Sequence, residues 1–384
     1  MTIGWRRAML GAMGTLIGCL LSVGLAGSQA GPAQPQLAEA VFKNIQVLKG
    51  IPVDEFMDTM GMFAAATTKD CTGCHSIDIL SGSRDAFAVT TPMIQRARQM
   101  VVMMNALNRT YFGGQKRVTC YTCHTATPVP GRVPNLSIQY GTPPAENPNA
   151  LEFIALPELA NQVDQIFAKY IQALGGAQRL AGVTSFVASG TYAGWDTSHV
   201  EVPVDIFARA PDQLRTVVHR KEGENIWVFD GRNAWFAGVD AAAPNFTLTY
   251  TGGNLAGARV EALVMVAPAA IQKAFGRWQV SEALVDDKPV TVLQGTNDGQ
   301  TPVNLYFDES GLLVRLVRWN DTAVGPVPTQ YDFSDYREVG GVRRPFRWVK
   351  TWTNNRAVFT LKDVRPNAPV DAARFARPAP VALN

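Results

Sequence analysis

Five cysteines occur in the 384-residue chain, and four of them come in two short runs. These are Cys71-Thr72-Gly73-Cys74-His75 and Cys120-Tyr121-Thr122-Cys123-His124. Both read C-x-x-C-H, the spacing of c-type haem attachment. Two thiols three positions apart can each add to one vinyl group of a single haem. The histidine that follows then stands beneath the iron as its proximal ligand. Other uses of the thiols fit less well. A redox C-x-x-C belongs in a βαβ pattern, which neither run has. A zinc ribbon needs short ligand spacings, whereas a long segment separates Cys74 from Cys120, and zinc would require neither histidine. The chain holds only four histidines, and two directly follow a C-x-x-C. Two covalently bound haem c groups are therefore expected, held by Cys71, Cys74, Cys120 and Cys123, with His75 and His124 on the irons.

A low-spin haem needs a second axial ligand, usually His or Met. His199 and His219 lie far along the chain, in a different kind of sequence. Methionines cluster before each motif instead: Met57, Met60 and Met62, then Met93, Met100, Met103 and Met104. Met also serves as adaptable core filler, so position must discriminate. A helix is expected from about Pro52, where Asp54 and Glu55 suit the positive end of its dipole. Val53, Phe56, Met60 and Phe63 repeat at helical spacing; Met57 shares their face and Met62 turns away. A second helix starts near Thr91-Pro92, with Thr91 as N-cap. Met93, Ala97, Met100, Met104 and Leu107 share a face there, with Met103 off it. Periodicity leaves Met57 or Met60 for one iron, and Met93, Met100 or Met104 for the other. Arg96, Arg98, Lys116 and Arg117 flank the second motif, as partners of haem propionates or as a solvated face.

Phe42 to His124 resembles the tetrahaem cytochrome c subunit of photosynthetic reaction centres. The matching pieces are the run from Asn44 to Lys49, Glu55-Phe56 with Met60, the run Ala97 to Met100, and the run Val118 to His124. In that family the helix before each motif supplies the axial Met. The resemblance thus implies Met60 with His75, and Met100 with His124. It covers roughly the first two haem units; the family's third and fourth motifs have no counterpart here. That departure points to a stand-alone dihaem relative rather than a reaction-centre subunit.

The N-terminus reads as an export signal. Arg6 and Arg7 precede an uncharged run from Ala8 to Gly27, and Ser28-Gln29-Ala30 offers a small-residue cleavage site. Residues 1–30 are read as a signal peptide cut after Ala30. Two other layouts fit the same residues. Leu16-Ile17-Gly18-Cys19 reads as a lipoprotein box in which lipidation of Cys19 would anchor the chain. The apolar run is also of the length, about 20 residues, that spans a bilayer. All three place the body outside the cytoplasm, in a bacterium the periplasm. With 17% charged residues, a net charge of +3 and no basic block, no nucleic-acid partner is expected.

Residues 31–127 are expected to form a mostly α dihaem cytochrome c domain. Residues 128–150 are a proline-rich linker, carrying Pro128, Pro130, Pro134, Pro143, Pro144 and Pro148. Residues 151–384 are expected to form an α+β domain, a large curved antiparallel sheet with one or two helices. Asn161 to Leu180 reads as helix, with Gly175-Gly176 as its stop, and another helix fits Gly257 to Phe275. Strands alternate over 204–209, 225–230 and 312–319, and 347–353 with 357–361 make a hairpin. Asp230-Gly231, Asp298-Gly299, Ser310-Gly311, Gly340-Gly341 and Asn354-Asn355 mark the turns. Leu174-Gly175-Gly176, the Phe229-Asp230-Gly231 turn and the long amphipathic strands weakly resemble the half-barrel of bacterial lipoprotein carriers. That resemblance implies a groove for an apolar ligand, which Trp195, Trp227, Trp235, Trp278, Trp319, Trp348 and Trp352 could line; ordinary core packing is the plainer use of these rings. No nucleophile–base pair or phosphate loop is visible in this half.

Together these features describe a dihaem c-type cytochrome carrying electrons between redox proteins, one of them a membrane-bound complex, and not an enzyme. Two other classes remain. A dihaem peroxidase or dehydrogenase needs a displaceable sixth ligand and a distal acid–base group. A redox-linked lipid-binding protein needs an apolar cargo in the C-terminal half.

Overall fold

A computed structural model describes residues 35–133, 151, 160–238 and 247–381. The expected export signal with Cys19, and residues 134–150 of the expected linker, lie outside the described residues. The described chain falls within one compact unit, Gln34–Asn384.

The first part is helical. Helix α1 (Ala38–Val41) leads to α2 (Val53–Thr67), then three 3-10 turns, α3 (Pro92–Tyr111) and α4 (Cys120–His124). Pro52 precedes α2, with Asp54 and Glu55 in its first turn. Thr91 caps α3, its hydroxyl accepting from the Ile94 N–H, with Pro92 at the first helical position. Both starts agree with the sequence.

The second part is an antiparallel sheet of 13 strands among the described residues. The strands are β1 (Ser185–Gly194), β2 (Val202–Arg209), β3 (Gln213–Arg220), β4 (Gly223–Phe229), β5 (Ala234–Ala237), β6 (Leu248–Thr249), β7 (Arg277–Val285), β8 (Lys288–Thr296), β9 (Val303–Phe307), β10 (Leu313–Thr322), β11 (Gly325–Val339), β12 (Val342–Trp352) and β13 (Asn355–Pro366). Across the sheet they run β6 to β1, then β13 down to β7. Consecutive strands pair by hairpins, so the chain lays one wing outward to β6, crosses over, and returns from β7 to close β13 on β1. Four of the five turn dipeptides expected from sequence fall between consecutive strands, and Asn355 of the fifth opens β13. Burial alternates along β11, where Val327, Thr329, Tyr331 and Phe333 point inward. The inner face of both wings forms the main core, with Phe186, Tyr192, Leu305, Phe346, Trp348 and Phe359 among its members.

Among the described residues three helices serve this sheet: α5 (Ala160–Ala173), α6 (Ala177–Ala181) and α7 (Gly252–Val266). The expected helix over 161–180 is two helices. Gly175 and Gly176 stand at φ +117° and +92°, and a side chain on Gly175 would strike the Gly341 carbonyl. Val163, Phe167, Tyr170 and Leu174 pack into the core. The helix expected over 257–275 starts earlier and ends earlier. Thr251 is its N-cap, and Pro268 follows the last turn, so the remainder continues as 3-10 turns. This α7 is the crossover between the wings. At its C-terminal end the buried Arg344 donates to the Met265 carbonyl at 2.6 Å, a cation where the helix dipole is negative.

Candidate functional site

The two C-x-x-C-H runs adopt different turns with the same outcome at the histidine. Cys71–Gly73 is a 3-10 turn capped by Asp70, whose carboxylate accepts from the Gly73 N–H at 3.1 Å and the Thr72 hydroxyl at 2.7 Å. Cys120–His124 is one α-helical turn closed by reciprocal Thr119–Thr122 capping. His75 places Nδ1 3.0 Å from the Phe87 carbonyl, and His124 places Nδ1 3.0 Å from the Thr127 carbonyl. A carbonyl can only accept, so in the neutral ring Nδ1 carries the proton and Nε2 keeps its lone pair. That is the tautomer an axial haem ligand needs, and the carbonyl contact orients each ring. Burial pushes the His75 imidazole below its ordinary pKa and so favours the neutral form. Phe87 also sets its ring edge-on to His75 at 5.1 Å.

Of the four motif cysteines, Cys71 and Cys123 are exposed and Cys74 and Cys120 half-buried. Burial raises the Cys74 thiol and pushes Cys120 up to about 11. Among the described residues no three His, Cys, Asp or Glu side chains form a metal-holding group. Each run pairs two cysteines with an imidazole, a donor set that fits covalent haem c.

The methionines divide by packing. Met62 and Met104 are buried with Leu48, Val101, Val324 and Val327, and so are core. Met62 does turn off the Met60 face, but into the sheet rather than toward water. Met60 is half-buried against this cluster, and Cys120 packs on it too. Met100 and Met103 are 38% and 46% exposed on α3, and Tyr111 is 72% exposed on the same side. An apolar helix face this open suits a flat porphyrin. Of the basic residues flanking the second motif, Lys116 is engaged by Asp321 at 2.9 Å and the Thr322 carbonyl at 2.6 Å. Arg98 donates to the Asn44 carbonyl at 2.7 Å.

Sequence reasoning missed one set of residues, because its members are far apart in the chain. Arg318 on β10 donates Nη2 to Glu261 Oε1 of α7 at 3.1 Å, and Lys350 Nζ of β12 lies 3.5 Å from the same oxygen. Burial pushes the Glu261 carboxyl up, but Lys350 and Arg318 outweigh it and hold it below the usual range. Glu261 and Lys350 edge a cavity of about 60 Å³ whose other walls include Trp227, Tyr331, Phe333, Trp348 and Trp352. Water needs roughly 10–15 Å³ and benzene was held by a cavity of roughly 150 Å³, so this space takes a few waters, not an acyl chain. Three of the seven tryptophans proposed for a groove line it. Trp195 is exposed, Trp235 joins a separate cluster, Trp278 packs on Phe167 and Phe275, and Trp319 joins a fourth cluster. His219 sits between Asp205 and Glu224, 3.0 Å from each. His199 stacks edge-on against Trp195.

With this geometry in place, the comparisons with known proteins bear on the helical segment. Residues 25–152 match the family of photosynthetic reaction centre cytochrome C subunits. A relative from Thermochromatium tepidum, named photosynthetic reaction center cytochrome c subunit, is 34% identical over 100 residues, covering 24% of this chain and 22% of its own. One of the same name from Rubrivivax gelatinosus (strain NBRC 100245 / IL144) is 30% identical over 98 residues, covering 25% of each. The chain thus spans about a quarter of the length of the curated relatives it matches. The cytochrome-like segment carries both C-x-x-C-H runs. Solved structures similar to the chain include a LolA superfamily protein from Nitrosomonas europaea, with TM-score 0.36 and 13% identity, covering 54% of this chain and 96% of that one. A putative outer membrane lipoprotein-sorting protein domain from Vibrio parahaemolyticus has TM-score 0.35 and 11% identity, covering 52% and 93%. Among the described residues no helix is long and apolar enough to cross a membrane.

Proposed function

We propose that this protein is an exported dihaem c-type cytochrome that passes electrons between redox partners. The observation that carries the reading is the pair of C-x-x-C-H turns, each with its histidine Nδ1 tied to a backbone carbonyl. Cys71 with Cys74, and Cys120 with Cys123, would hold the two haems covalently. His75 and His124 would each present Nε2 to an iron, with Met60 and Met100 opposite them. Haem supplies one-electron redox chemistry. The protein's part would be to hold the groups through these cysteine, histidine and methionine side chains. A thioether opposite imidazole favours the reduced iron over bis-histidine ligation, so both potentials are expected on the positive side. Export would follow from the first 30 residues, by cleavage after Ala30 or with Cys19 lipidated. In this reading residues 31–127 form the dihaem cytochrome domain, 128–150 link it, and 151–384 form the half-barrel.

The test is a redox-titrated visible spectrum of protein matured with the haem-ligation machinery, repeated on Met60→Ala and Met100→Ala. Two low-spin haems, one turning high-spin in each variant, support the carrier and both ligand assignments. A high-spin haem in the unaltered protein would mean an open iron and would favour a haem enzyme.

A further inference from the structure

The helix that bears Met60 is held by the C-terminal half as well as by its own segment. Asp54 and Asp58 stand one turn apart on α2, the first buried and the second half-buried. Asp54 accepts from the Thr251 N–H at 2.6 Å and from its hydroxyl at 2.9 Å. Thr251 is the N-cap of α7, so the carboxylate lies at the positive end of that helix. Asp58 accepts from Asn254 of α7 at 2.7 Å and from Asn320 of β10 at 2.5 Å. Gly61 faces the β12–β13 turn so closely that a Cβ there would strike Thr353 Oγ1 and Asn354 Oδ1. One turn further on, the Ala66 carbonyl accepts from the Thr127 N–H. The partner surface is equally committed. Gly253 and Gly257 of α7 lie so close to Asn320 and Arg318 that a Cβ on either would strike them.

From these contacts we infer that Asp54, Asp58 and Gly61 are positioning residues for the haem Met60 serves, and that the sheet is the fixed frame they act against. An α-helix turns about 100° per residue, so Met60 stands about 160° from Asp58 round the helix. Three contacts along one side pin both the rotation and the rise of α2, which leaves Met60 one direction in which to project. The C-terminal half then acts in electron transfer by fixing an axial ligand. This inference rests on the reading of Met60 as an iron ligand.

The experiment uses the full holoprotein and compares Asp58→Ala, Asn254→Ala and Asn320→Ala with Met60→Ala. The two asparagine variants leave the haem segment unaltered, and they carry the test if Asp58→Ala does not fold. Gly190→Ala, which strains β1 against β13, controls for general loss of stability. The expected result is a shift of about tenfold in the ratio of Met-bound to Met-free iron, the scale of a lost hydrogen bond to a charged group. It should fall on the same haem that changes in Met60→Ala, with a lower potential there, and leave the other haem and the Gly190→Ala spectrum unaltered. If Met60→Ala changes one haem but none of the three variants does, the positioning role is overturned. If Met60→Ala changes neither haem, the ligand assignment falls, and the positioning role with it.

Discussion

Glu261 offers a sharp test of what holds the sheet and α7 together. Its carboxylate is largely buried and touches two cations, the buried Arg318 at 3.1 Å and the largely buried Lys350 at 3.5 Å. Glu261→Leu removes the anion and leaves both cations in a low-dielectric interior, with Arg318 Nε and Nη1 already lacking hydrogen-bond partners. Breaking a buried pair in this way costs about 3–5 kcal/mol, because the remaining charge is uncompensated. For a domain of this size that corresponds to a fall in Tm of roughly 6–20 °C. Circular dichroism melts, with denaturant titrations followed by tryptophan emission, would measure it. Replacing the whole cluster, as Glu261→Leu with Arg318→Met and Lys350→Met, should recover most of the loss, since apolar packing of similar volume replaces ion triads well. The pH dependence has a fixed sign. The folded carboxyl lies below its ordinary value of 4.5, so its contribution is present above that value and is lost as pH falls through the depressed one. A Glu261→Leu protein within about 0.5 kcal/mol of the parent would refute the reasoning, because that is the range of an exposed site.

Asp54 makes the opposite prediction. Burial raises its carboxyl above the ordinary 3.8, outweighing the Thr251 hydrogen bonds, so its contribution is full below that value and is lost as pH rises through the raised one. Asp54→Asn should flatten this limb of the stability–pH curve, measured by denaturant midpoints; an unchanged slope would count against the burial. Gly190→Ala should destabilise the sheet by about 1–3 kcal/mol in the same assay, because the added methyl meets the Thr360 carbonyl and Leu361 Cα at the β1–β13 bulge. A neutral outcome would mean that the seam closing β13 on β1 is slack.

The two C-x-x-C-H runs were legible because their pattern is local: two thiols, a histidine and their spacing. Helices α2 and α3 were legible for the same reason, since Pro52, Thr91 and Pro92 mark their starts. Turn dipeptides located the hairpins, and alternation located β2, β4 and β10. What the sequence hid was non-local. Nothing near Gly257 reveals that α7 starts at Gly252, because its N-cap Thr251 is bonded by Asp54, far earlier in the chain. The Arg318–Glu261–Lys350 cluster joins two strands and a helix and has no sequence period. Met62 shows the same limit. The wheel separates it from Met60 but does not show that Val324 and Val327 cover it.

The central claim is two haems held at two C-x-x-C-H turns, and covalent haem content measures it most directly. Intact mass spectrometry of the matured holoprotein should show two haem additions, with haem-bearing peptides containing Cys71–Cys74 and Cys120–Cys123. The paired variant Cys120→Ala/Cys123→Ala should retain one. A single addition in the parent protein, or none, with the thiols recovered as a disulfide or as alkylatable cysteines, would contradict the account.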